Sequence, residues 1–294
     1  MTDLVVRPLA AGEESLFESL PDPLPEVRRM GYADGLAGGG YRPERTWVAL
    51  RGGRVVARAA WALPPGAVGA PWLDRFDVVA EPEAGAALLR AAHAALGGPT
   101  VCYLTLPPDW RRRPEVPAIV GATLAAARLA GLTERGERLR LTWAGTPPPA
   151  PAGRYAFRPP TGAAEIRELV ARVAAPEVLT GAETALAVAG VDLATDPLGW
   201  LTGPPDAWRV ALRDGEPAGL AGTAGDACYP LLAWAGLLDP GARGALLAEA
   251  VRVLAAGGAR EVVADVDAHR AATVAELERT GFRPLRSRLV LAPR

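Results

Sequence analysis

Only two histidines occur in this chain, His93 and His269, and histidine is the side chain whose ordinary pKa lies closest to neutrality. His269 follows Asp265-Val266-Asp267-Ala268, just past the end of an apolar strand-like segment. An imidazole there could give or take a proton. The alternative is a histidine at an exposed helix start, with Asp267 as the cap. Tyr229 and Asp226 stand at and before the start of the long apolar run Cys228–Leu238. Tyr229 offers a general acid, against a packing aromatic. Asp226 offers a base for an ammonium group, against an ordinary turn residue. Cys228 has no histidine near it in sequence and reads as a buried thiol. Glu177 and Glu183 lie in a helical region, where they could bind a cationic amine or line a solvated face. His93 sits on a helical segment and reads as structural. Arg111-Arg112-Arg113, with Glu115 close by, reads as a solvated loop.

What is missing narrows the chemistry further. The chain contains no Lys, Asn or Gln, so all 32 of its basic residues are arginine. No lysine Schiff base and no side-chain amide in an oxyanion hole is available. The two cysteines, Cys102 and Cys228, make neither a disulfide scaffold nor a metal cluster. A net charge of −1 argues against bulk binding to nucleic acid or a membrane surface. No apolar run reaches the roughly 18 residues needed to span a bilayer. The first residues carry no secretory signal pattern, so a cytoplasmic protein is expected. A monomer or homodimer is the expected assembly.

The elements that must position these residues come in two copies. Val48-Ala49-Leu50-Arg51-Gly52-Gly53-Arg54 matches Val210-Ala211-Leu212-Arg213-Asp214-Gly215-Glu216 at five of seven positions, 162 residues apart. Each reads as strand, two-residue turn, strand. Val6-Arg7-Pro8 corresponds to Phe157-Arg158-Pro159, and Gly131-Leu132 to Gly281-Phe282. Three matches in one order predict a duplication: a first domain over 1–145, a Pro-rich linker over 146–153 and a second domain over 154–294. In the second copy the pattern predicts strands at Tyr155–Arg158, Trp208–Leu212, Pro217–Thr223, Cys228–Leu238, Glu261–Val266 and Arg286–Leu291. Helices are predicted at Gly162–Val173, within Pro176–Ala189, at Arg243–Ala256 and at Ala271–Thr280. The class is α/β (α+β), each domain a mixed, mostly antiparallel sheet flanked by helices.

That element order, the strand-turn-helix Gly236-Leu237-Leu238-Asp239-Pro240-Gly241-Ala242-Arg243-Gly244-Ala245 and the ending Leu277-Glu278-Arg279-Thr280-Gly281-Phe282 resemble the GNAT family of N-acetyltransferases. The tandem arrangement is similar to that of actinobacterial members such as the mycothiol synthases. The resemblance implies an N-acyltransferase that uses acetyl-CoA or another acyl-CoA as cosubstrate and acts on a small-molecule amine. It implies that the strand ending in Leu237 and Leu238 parts from its neighbour and holds the pantetheine arm. The diphosphate would lie on the amides of Arg243, Gly244 and Ala245, because a helix start carries unpaired N–H donors and a partial positive charge. His269, Asp267, Tyr229 and Asp226 are the catalytic candidates that go with this site. Two departures from the family pattern are expected to matter. Leu246 replaces a glycine beside the phosphates, and Leu277 stands where the family often has a tyrosine. The first copy has Val79-Ala80-Glu81-Pro82-Glu83-Ala84-Gly85 at the corresponding turn. Its two carboxylates would repel a diphosphate, so that copy is expected to be structural. Loss of catalysis in both copies, leaving a binding or scaffold module, and recruitment of the fold to other biosynthetic chemistry are the alternatives.

Overall fold

The computed structural model describes residues 3–27, 29–67, 69–149, 153–201, 205–224 and 230–294. The chain divides into two compact units, Met1–Glu137 with Arg286–Arg294, and Arg138–Leu285. Two long strands therefore contribute to both.

The first unit runs β1 (Leu4–Pro8), α1 (Glu14–Glu18), α2 (Tyr32–Ala37), β2 (Thr46–Arg51), β3 (Arg54–Ala62), β4 (Trp72–Val78), α3 (Pro82–Leu96), β5 (Cys102–Leu106) and α4 (Glu115–Leu129), then enters β6 (Leu132–Trp143). Its strand order is β1-β2-β3-β4-β5, with the last strand of the chain, β13 (Phe282–Pro293), antiparallel beside β5. β4 and β5 are parallel neighbours, paired at Leu73 and Cys102. The second unit takes the second half of β6 and continues through β7 (Tyr155–Arg158), α5 (Ala163–Arg172), β8 (Val178–Leu179), α6 (Ala182–Ala189), β9 (Trp208–Arg213), β10 (Glu216–Ala224), β11 (Leu231–Leu237), α7 (Arg243–Ala256), β12 (Val262–Asp267) and α8 (Ala271–Arg279). Its strand order is β6-β12-β11-β10-β9-β7. The fold class is the expected one, and the helices at 243–256 and 271–279 match the apolar periodicity. The helix expected within 176–189 is α6, Ala182–Ala189, and the short strand β8 precedes it.

The duplication extends to side-chain detail. Arg7 donates to both oxygens of Glu13 and to the carbonyl of Pro8, and the Glu13 carboxylate also accepts from the amide of Ala10. Arg158 does the same with Glu165 and Pro159, and Glu165 accepts from the amide of Thr161. In each copy the arginine ends the first strand and the glutamate opens the first helix, so one charge-assisted pair sets the angle between them. The arginine and the Thr161 donors lower the Glu165 pKa to about 2.

The copies differ on the sheet face that packs beneath their first helices. In the first unit Arg58 lies opposite Asp77, and Arg75 lies opposite Ala60. All three charged residues are buried. Asp77 accepts from Arg58 at 2.8 Å and from Arg29 at 3.1 Å. Burial pushes the Asp77 pKa up, but Arg29 and Arg58 outweigh it and hold the carboxyl below its ordinary value. The same register positions in the second unit are Leu220 opposite Gly236 and Gly222 opposite Trp234. There the face is apolar, with Trp208 and Trp234 packed 6.2 Å apart. Asp77→Ala leaves Arg29 and Arg58 without their shared carboxylate, and a buried pair broken on one side costs about 3–5 kcal/mol. Urea denaturation should show a loss of that size in the first unit.

Candidate functional site

β11 and β12 are parallel and pair at one bridge, Leu231 to Val263, with the amide of Val263 bonded to the carbonyl of Pro230 at 3.1 Å. Past that bridge they part, while β11 stays paired to β10 along its length. The gap exposes carbonyls of β11 that need donors, because buried backbone groups left unpaired are costly. Residues 177–180 supply them. The amide of Glu177 donates to the Ala235 carbonyl at 2.7 Å, and the amide of Thr180 to the Ala233 carbonyl at 2.9 Å. The Thr180 hydroxyl donates to the Leu232 carbonyl and accepts from the Asp265 amide at 2.9 Å. One side chain thus bonds to both of the parted strands. Thr180 and Val178 are buried.

The Glu177 carboxylate closes the outer end. It faces Arg243 at 3.5 Å and Arg270 at 3.3 Å, and accepts from the Thr273 hydroxyl. Read from sequence, Glu177 bound an amine or faced solvent; in the structure it binds two arginines, one at the start of α7 and one immediately before α8. Glu183 likewise pairs with Arg138, at 2.9 Å. Neither side chain is a free acid awaiting a cation.

The turn into α7 is held by Asp239. Its carboxylate accepts from the Tyr155 hydroxyl at 2.8 Å, the Gly241 amide at 2.9 Å and Arg213 at 3.1 Å. These donors, Tyr155 first, lower its pKa to about 2. The Leu238 and Asp239 amides both donate to the Ala218 carbonyl, so the end of β11 is pinned to β10. Gly236 is required by close approach: a Cβ would come within 2.5 Å of the Trp234 ring. Leu237, Leu238, Arg243, Gly244 and Ala245 are all partly exposed around this turn. The two expected departures fall elsewhere. Leu246 is buried, and its Cδ2 would lie 3.1 Å from a Cβ on Gly219, so its side chain points into the core instead of crowding the helix start. Leu277 is also buried, in the same apolar cluster. The crowding at this helix start comes instead from Glu276, whose carboxylate would meet a Cβ on Gly244 at 2.7 Å.

At the end of β12, Asp267 donates no cap to α8. Its carboxylate pairs with Arg138 at 3.1 Å, and its carbonyl accepts from the Arg270 amide at 2.9 Å. His269 is exposed in the turn between them. The structure thus brings together Leu237, Leu238, Arg243, Gly244 and Ala245 at one helix start, and sets Asp267 at the end of β12 and His269 in the turn between β12 and α8. Asp226, Cys228 and Tyr229 lie outside the described residues. Among the described residues, no group of His, Cys, Asp and Glu side chains is arranged to hold a metal ion, and no helix is long and apolar enough to cross a membrane. Thr180 and Arg270 were not singled out by sequence reasoning. The available signal was Val178-Leu179-Thr180, a run that suits a strand.

In the first unit the corresponding strands β4 and β5 also part after one bridge. The Val78 amide is bonded by the Thr123 hydroxyl of α4 at 3.1 Å. The start of α3 is close-packed: a Cβ on Gly85 would lie 2.5 Å from Val78 and 2.8 Å from Ala126 of α4. Glu81 before it pairs with Arg51 at 2.6 Å.

No protein-family model matches the chain, and no curated protein matches it. Among solved structures it is similar to a GCN5-related N-acetyltransferase from Sphaerobacter thermophilus, at 15% identity over 98% of this chain and 94% of that one, with a TM-score of 0.60. It is also similar to a tandem GNAT protein from the clavulanic acid biosynthesis pathway (18% identity, 98% of each chain, TM-score 0.45). A third is a GCN5-related N-acetyltransferase from Kribbella flavida (17% identity, 81% of this chain and 86% of that one, TM-score 0.45). The first likeness shows the fold: this chain has the GNAT fold over nearly its whole length.

Asp239→Asn should lower the melting temperature at neutral pH. Because the folded pKa is depressed to about 2, the carboxylate's contribution is full above about pH 5 and fades as pH falls towards 2. Melting curves of the two proteins should converge over that interval.

Proposed function

We propose that this chain is an acyl-CoA-dependent N-acyltransferase whose second sequence copy, residues 154–294 after the linker at 146–153, carries the cosubstrate site, and that the first copy, residues 1–145, serves as a structural partner. One observation carries the reading. An extended peptide already lies in the β11–β12 gap, its amides on the carbonyls of Ala233 and Ala235 and its anionic end against Arg243 and Arg270. The gap therefore accepts an extended, amide-bearing chain with a negative terminus. Acyl-CoA has that chemistry: a pantetheine arm with two amides, and a diphosphate.

The residues that would hold it are the backbone of β11 through Leu237 and Leu238, and Arg243, Gly244 and Ala245 at the start of α7. Acyl-CoA supplies an activated acyl thioester. The chain must then orient a small-molecule amine and remove a proton from its ammonium group. His269 is the exposed base beside the end of β12. Asp267 is engaged by Arg138 and acts on position, not on the proton. Asp226 and Tyr229 are the further candidates for base and acid. A cytoplasmic monomer or homodimer fits this role.

A second reading, a catalytically silent binding module of the same fold, is favoured by a specific fact. The donors that close the gap belong to the protein itself, and the first unit is closed as well, by Thr123 and the packing around Gly85. Titration calorimetry with acetyl-CoA, followed by a free-thiol release assay over a panel of amines, separates the two. Binding with turnover is expected. Arg243→Ala should weaken acetyl-CoA at least about tenfold, as loss of a charge-assisted contact does. His269→Ala should lower kcat about a hundredfold and leave the KM for acetyl-CoA unchanged. Absence of both heat and turnover would establish the silent module instead.

A further inference from the structure

We infer that residues 177–180 are a displaceable internal plug of the ligand gap, which leaves as a unit when the ligand enters and so sets its apparent affinity. This rests on the reading of the gap as the cosubstrate site. The two amide contacts and the two arginine contacts of the plug are ones that an extended ligand of the proposed class can replace. Glu177 and Thr180 give backbone N–H groups to the carbonyls of Ala235 and Ala233. The Glu177 carboxylate gives negative charge to Arg243 and Arg270. The Nε atoms of both arginines are buried without a partner, so a single carboxylate leaves donors unused that a diphosphate, with more oxygens, can take. The remaining ties are the Thr273 hydroxyl to the Glu177 carboxylate, the Thr180 hydroxyl to Leu232 and Asp265, and Arg138 to the Leu179 carbonyl at 3.5 Å.

The segment is also built to move as a piece. It is two residues of strand between Pro176 and Gly181. Gly181 has φ +81°, a left-handed conformation open to glycine at little cost. Ala174 and Ala175, just before the proline, are exposed. Against motion stands Val178, which is fully buried in the core of the second unit. Opening exposes it, so the open form is a minor population, and the apparent dissociation constant is the intrinsic one divided by that fraction. The plug and the ligand compete for the same carbonyls and the same arginines, and what weakens the plug strengthens the ligand.

The test uses the full chain and coenzyme A as the probe. Hydrogen exchange read by mass spectrometry should show the peptide covering 174–182 losing protection at Glu177 and Thr180 when coenzyme A is added. By calorimetry, Glu177→Gln and Val178→Ala should each bind coenzyme A about tenfold tighter than the natural chain, one by loosening the charged end and the other by loosening the apolar anchor. A variant that merely damaged the fold would bind more weakly. Coenzyme A binding with protection at 177–180 unchanged, or with both variants at or below the affinity of the natural chain, overturns the plug and leaves the cosubstrate reading standing. No binding by the natural chain or either variant overturns that reading, and the plug with it.

Discussion

A parallel strand pair that bonds at one end and parts at the other leaves backbone groups facing a gap, and in the second unit the hydroxyl of Thr180 resolves that constraint. It donates to Leu232 on one strand and accepts from Asp265 on the other. A hydroxyl has one proton to give and lone pairs to receive, so a single side chain bridges the parted strands. The rest of the site follows from where this places its neighbours. With Thr180 between the strands, the Glu177 amide reaches Ala235 and the Glu177 carboxylate arrives beside Arg243 and Arg270. The helix start that suits an anion is therefore already facing one.

The same architecture is stabilised in two different ways in the two copies. Beneath its first helices, the first unit buries Arg58, Arg75 and Asp77 with Arg29 and Asp22. Buried ions are costly to desolvate and are tolerated when each meets a partner in good geometry. The second unit places Leu220, Trp234 and Gly236 at the equivalent positions, with Trp208 packed against Trp234. Aromatic burial needs no partner for charge and leaves a surface that is indifferent to polar ligands. A duplicated backbone has thus diverged where it faces its own covering helices, and has kept the arginine–glutamate pairs that join the first strand to the first helix.

Much of the fold was legible in the sequence because its signals are local. The repeat of Val48–Arg54 in Val210–Glu216 is the hairpin of each copy, and the two-residue turns make it visible. The helix at Arg243 follows the break at Asp239-Pro240-Gly241, where the aspartate caps the single 3-10 turn Pro240–Ala242 through the Gly241 amide. Where local reading went astray, a nonlocal contact decided the outcome. The helix expected within 176–189 occupies Ala182–Ala189, and the strand before it, Val178–Leu179, was not foreseen; it forms because carbonyls on β11 lie open to it. Leu246 and Leu277 looked like losses from a site, yet both point into the core. Side-chain direction depends on how a helix is rotated against the sheet, and two isolated positions do not reveal that.

By itself the sequence determined the duplication, the order of the elements, the arginine at a helix start in one copy and its absence from the other. These are properties of neighbouring residues, and short-range sterics and hydrogen bonding impose them. Only the tertiary structure decided what stands in the gap between β11 and β12. Thr180 meets Asp265 across 85 positions of the chain, and Glu177 meets Arg243 across 66. No periodicity links partners so far apart. Their meeting is settled by the need to pair buried backbone groups once the sheet has formed.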